Sequence, residues 1–146
     1  MIPLLRGTGA AGVAAPGPLD FAALPAPPSP NWWLALPPDE SGPGRHWENH
    51  ALPAASPDAA WAALRRVAAA CPRCHLLAEW PERRQAQWVV RSALMNFPDI
   101  VTAEVAERDG GAAIRLHSRS LLGWSDFGVN RRRVRAWIAA LEAALR

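Results

Sequence analysis

The chain has 146 residues, half of them hydrophobic, with a formal net charge of +3 and an isoelectric point near 10.0. That length suits one domain able to bury a real core, and so modest a charge demands neither nucleic acid nor an acidic surface as partner. No apolar run approaches the roughly 20 residues of a membrane-spanning helix, so no transmembrane segment is expected.

Residues 1–19 read as a disordered or degenerate targeting segment, because prolines and a Gly/Ala middle interrupt what would be the apolar core of an export signal. The compartment stays open, with the cytoplasm favoured over association with the cell envelope. Residues 20–55 carry many of the prolines and show no helical or strand period, which describes an extended arm. Phe21, Leu24, Trp32, Trp33, Leu34, Leu36 and Trp47 cost about 1.5 to 3 kcal/mol each to leave in water, so the arm is expected to pack on the domain.

Residues 56–146 read as an α+β domain. Ser56 is placed to cap a helix whose first position is Pro57; Trp61, Leu64, Val67 and Ala68 form its apolar stripe, and Pro72 ends it. Strands follow over 76–80 and 85–94, where Trp88 and Val90 alternate with Gln87, Val89 and Arg91. A hairpin is predicted at Asp109-Gly110-Gly111. With Gly110-Gly111 as its loop, Val105 faces Leu116, Thr102 faces Arg119 and Glu104 faces His117. After Gly123, Val134, Trp137, Ile138, Leu141 and Leu145 repeat as one helical face. The expected fold is a four-stranded antiparallel sheet with an N-terminal and a C-terminal helix on one face, preceded by the Pro-rich arm.

Chemistry concentrates at the last strand-to-helix junction. Arg115, His117 and Arg119 alternate on one strand, Arg91 is expected on a neighbour, and Ser118, Ser120, Ser125 and Asp126 follow. Arg131, Arg132 and Arg133 stand in the first turn of the last helix, where they oppose the macrodipole and need a compensating negative group, internal or bound. Convergence of these groups would hold an anionic ligand or a partner's carboxylate, since the guanidinium fork suits carboxylate and phosphate. The plainer alternative is that Asp126 caps the helix and the arginines pair with Glu104, Glu107 and Asp126. A hydrolase using Ser125, Asp126 and His117 requires those three within hydrogen-bond reach, and a structural or interaction protein requires every donor to be paired internally.

Other motifs carry less. Cys71-Pro-Arg-Cys74-His75 has the spacing of c-type haem attachment, but lacks a convincing export signal and a second axial ligand. As a redox pair it follows a helix C-terminus, where the dipole opposes a thiolate. Gly123-Trp-Ser125-Asp-Phe127 has phenylalanine where a nucleophile elbow needs glycine. His46 and His50 lack a helix or carboxylate in register for metal. Eight tryptophans invite a base-stacking reading, but no nucleic-acid motif accompanies them. No catalytic residue, metal ligand or cofactor is assigned, and nucleic acid is not an expected partner.

The run Ile114-Arg-Leu-His-Ser118-Arg-Ser120, followed by Gly123-Trp-Ser-Asp-Phe-Gly-Val-Asn-Arg-Arg-Arg133, resembles the bacterial and plastid family called domain of unknown function 1499. Asp20-Phe21 and Pro30-Asn31 are similar to that family's upstream segments. The resemblance covers roughly residues 20 to 145 and places the motif on Arg115, Ser118, Ser120, Gly123, Ser125, Asp126, Gly128, Asn130 and Arg131. Trp124 stands where the family tends to have tyrosine. The resemblance implies a fold but no activity, and many members carry an N-terminal signal or anchor. Together these readings give Arg115, Ser118, Arg119, Ser120, Ser125, Asp126, Asn130 and Arg131 as the candidate ligand-binding residues of a small non-enzymatic domain.

Overall fold

A computed structural model describes Leu5 and residues 7–146. Six strands form one mixed sheet: β1 (Trp32–Leu36), β2 (Trp47–Asn49), β3 (Cys74–Trp80), β4 (Gln85–Arg91), β5 (Pro98–Arg108) and β6 (Gly111–Ser120). Their spatial order is β2-β1-β6-β5-β4-β3, with β1 and β2 parallel and the other neighbours antiparallel. The helices α1 (Pro57–Ala70) and α2 (Val129–Leu145) complete the α+β fold.

The expected four-stranded antiparallel sheet is therefore corrected to six strands of mixed direction. The two additional strands come from the arm. Pro30, Pro37 and Pro38 bracket Trp32–Leu36, and all but the half-buried Trp33 of those five residues are buried. Trp32, Leu34 and Leu36 face one layer while Trp33 and Ala35 face the other. A strand covered on both sides shows a continuous apolar run, not an alternation. Its period was therefore hidden.

The hairpin register also shifts. Asp109 and Gly110, at φ 50° and 77°, form the two-residue turn, so Val105 pairs with Ile114, Thr102 with His117 and Glu104 with Arg115. Two positive φ values in succession are what a tight hairpin matching the sheet twist requires. A shift of two leaves every side chain on its original face.

One sheet face carries the helices. Ser56 Oγ accepts from the Ala59 amide at 3.1 Å and starts α1. The helix buries Ala60, Ala63, Leu64 and Ala68, and Trp61 lies at the margin, one residue off the expected stripe. α2 buries Val134, Trp137, Ile138 and Leu141 as its period predicts, with Trp137 edge-on to Trp88 at 5.3 Å.

The opposite face is polar and lies under the arm. Gln85 Nε2 donates to the Leu19 carbonyl at 2.9 Å and its Oε1 accepts from the Leu19 amide at 2.7 Å, so this side chain pairs with the arm as a strand backbone would. Gln87 Nε2 donates to the Gly17 carbonyl, and Arg91 to the carbonyls of Gly9 and Ala11. Phe21, Trp32, Leu34 and Leu36 form a second, smaller core there. Residues 9–19, ahead of the arm's two strands, stay in place without β pairing because side-chain amides and guanidinium satisfy their carbonyls.

Candidate functional site

The period of β6 divides the candidate residues between two faces. Ser118 and Ser120 point toward α2, whereas Arg115, His117 and Arg119 point toward the arm. The eight residues do not meet in one place.

On the helix side, Asn130 is fully buried. Its Oδ1 accepts from Ser118 Oγ at 2.6 Å and from Arg133 at 2.9 Å. Its Nδ2 faces the Asn31 carbonyl at 3.0 Å, Ser120 Oγ at 2.9 Å and Asp126 Oδ2 at 2.7 Å. Asp126 also accepts from the backbone amides of Gly128 and Asn130, at 2.8 and 3.1 Å. The negative group required at the start of α2 is thus the protein's own carboxylate. Arg133 pairs with Asp99 at 2.8 Å, both largely buried. Burial pushes the Asp99 carboxyl upward, and Arg133 and Ser120 pull it back. Asn31 ties in from the arm, donating from Nδ2 to the Gly123 carbonyl at 2.7 Å. This junction is a closed network that fastens β1, β6 and α2 together.

The remaining residues near it are also accounted for. Ser125 Oγ accepts from the Phe127 amide at 3.3 Å in a local turn. Arg131 lies over the Trp33 ring at 4.7 Å, a cation–π contact. His117 is on the other face of the sheet from Ser125 and Asp126, so the geometry does not assemble a triad from these three.

On the arm side, Arg115 is held by Glu40 at 2.6 Å and by Glu104 at 2.8 Å. Its hydrogen bond holds the Glu40 carboxyl below the ordinary carboxylate range. Arg119 differs. Its side chain has no hydrogen bond or ion pair among the described residues, and burial lowers its pKa from the usual arginine value. It lines a cavity of about 340 Å³ with His117, Gln87, Thr102, Ile100, the arm residues Leu24, Pro25 and Pro27, and Pro16 and Leu19 just before the arm.

Two further polar groups around this cavity are unsatisfied. Among the described residues, His117, 3% exposed, has no partner for its Nε2, and Gln87, 1% exposed, has none for its Oε1. Burial and then the neighbouring Arg119 charge push the imidazole down to about 4, so the ring is neutral at physiological pH. Buried polar atoms without partners are uncommon, since each forfeits hydration of about 1 to 3 kcal/mol. Sequence reasoning placed Arg119 and His117 but missed Gln87. The signal was present in the alternation of β4, whose other face is apolar.

The two cysteines are free, and burial pushes the Cys74 thiol up to about 12, which suppresses the thiolate that redox or metal chemistry needs. Among the described residues no three His, Cys, Asp or Glu side chains group to hold a metal ion, and no helix is long and apolar enough to cross a membrane. No curated protein and no solved structure matches the chain. The junction network, from Asn31 to Arg133, lies within residues 24–141, which match the model of a family described as protein of unknown function (DUF1499), and the chain belongs to that family.

Proposed function

We propose that this domain is a binding module, not a catalyst, and that it holds a small organic anion between the arm and the polar sheet face. The observation that carries the reading is Arg119: a half-buried cation without a counter-charge among the described residues, beside a cavity shared with two buried, unpaired polar atoms. Each group specifies part of the ligand. Arg119 offers its donors to a carboxylate or similar anion. Gln87 Nε2 is committed to the Gly17 carbonyl, so Oε1 is left to accept from a ligand hydroxyl or amide. His117 Nε2 donates or accepts according to tautomer. Leu19, Leu24, Ile100 and the prolines offer apolar wall to a short carbon skeleton, and the volume lies at the small end of ligand cavities.

The test is a thermal-shift series with short-chain hydroxy acids, simple carboxylates, phosphate and sulfate, on wild type, Arg119→Ala and Arg132→Ala. A ligand at about 100 times its Kd stabilises by about 2.7 kcal/mol. Stabilisation of wild type and Arg132→Ala but not of Arg119→Ala supports the site. NMR titration of His117 supplies a second readout, because an anion bound beside it raises its pKa from about 4. No stabilisation by any of these anions, or equal stabilisation of Arg119→Ala, overturns the reading.

A further inference from the structure

The two ends of the sheet differ in how their charges are used. At the hairpin end the arginines are ion-paired: Arg83 with Glu104, Arg84 with Asp58, Arg108 with Asp39 and Glu40, and Arg115 with Glu40 and Glu104. At the opposite end lie the β4–β5 loop and the β6–α2 loop, adjacent through the Leu121 amide donating to the Pro98 carbonyl. Exposed arginines flank these loops. Arg73 precedes β3, Arg131 and Arg132 open α2, and Arg45 shares a shallow cavity with Trp124. None of the four is ion-paired among the described residues. The nearby carboxylates are used internally, Asp99 against Arg133 and Asp126 at the start of α2.

The same end gathers the exposed apolar side chains. Among the described residues, Leu94, Met95 and Phe97 project from one loop and Trp124, Phe127 and Val129 from the other or its junction with α2; Leu76 alone lies elsewhere. Leu94 is 90% exposed and Phe127 87%. Phe127 also sits at φ 52°. Its amide reaches Ser125 Oγ and its carbonyl accepts from Arg132, so the turn holds the ring out in solvent with no packing against the chain.

We infer that this end of the sheet docks on an anionic membrane surface, with Leu94, Phe127 and Trp124 entering the interfacial layer and Arg45, Arg73, Arg131 and Arg132 meeting lipid headgroups. Separate projecting tips suit a deformable medium, into which each inserts independently. An aromatic and aliphatic tip ringed by cations that have no ion-pair partner among the described residues, although Arg73 and Arg132 donate to backbone carbonyls and Arg131 lies over Trp33, is the pattern that peripheral binding to acidic lipid uses. The inference is independent of the cavity at Arg119.

Sedimentation with phosphatidylcholine vesicles, with and without phosphatidylglycerol, tests it. The full chain should pellet with the anionic vesicles, less at high salt, and little with phosphatidylcholine alone. Leu94→Asp combined with Phe127→Asp should weaken binding by roughly tenfold or more, while Leu76→Asp and Arg119→Ala should leave it unchanged. The exposed positions of the paired substitutions leave the fold intact, checked by circular dichroism. The inference is overturned by failure of wild type to bind anionic vesicles, by binding that the double variant retains, or by a wild-type dimer in solution that the double variant dissolves, which would assign these loops to a second copy.

Discussion

Asn130 joins three parts of the molecule, touching β6 through Ser118 and Ser120, the arm through Asn31, and its own helix start through Asp126. Two amide hydrogens are shared among three acceptors, so an isosteric carboxylate would face oxygen at each of them. Asn130→Asp should cost about 3 kcal/mol or more, read from the urea midpoint at neutral pH. A loss below about 1 kcal/mol would mean that the network is dispensable to stability. The residues of this junction could be read from the motif, yet their role could not. The motif shows serine, aspartate and asparagine near arginine, which suits a ligand site and an internal knot equally. Only the backbone shows that Asn31, 99 residues away, supplies the carbonyl that Asn130 needs.

Among the elements, the hairpin and the last helix were legible because each buries one face and exposes the other, so period reports structure. β1 was not, since both its faces are covered, and β2 has only three residues, too few for any pattern. The loop position of the hairpin rested on choosing between Asp109-Gly110 and Gly110-Gly111. The structure makes a sharp distinction there, because Gly110 has φ 77° while Gly111 lies in strand β6 without a positive φ. Gly110→Ala should therefore cost about 1 kcal/mol and Gly111→Ala distinctly less, measured by thermal unfolding. Equal effects would restore the Gly110-Gly111 turn.

For the whole molecule, arm and sheet face are joined through groups that titrate in acid. His117 is held at about 4 when folded, against 6.5 ordinarily, so the unfolded chain binds the extra proton between those values. Stability therefore rises with pH across that window and falls as pH drops from 6.5 toward 4, by at most about 3 kcal/mol. Glu40 adds a lower limb: its carboxyl lies below 4.5, chiefly through Arg115, so its contribution is present above 4.5 and lost as pH falls through the folded value. Urea unfolding at a series of pH values should show both limbs in wild type. His117→Gln should remove the upper limb alone, and an unchanged profile would show that burial does not govern this imidazole.

The hydrogen bonds that Gln85, Gln87 and Arg91 make to residues 9–19 go to main-chain atoms. Along residues 9–19 the domain thus grips a peptide by what all peptides share. Side chains in this stretch can vary only where the backbone permits, because Gly9, Gly12 and Gly17 hold φ of 57°, 75° and 88°, so selection should fall on those glycines as well as on the glutamines and the arginine that do the gripping.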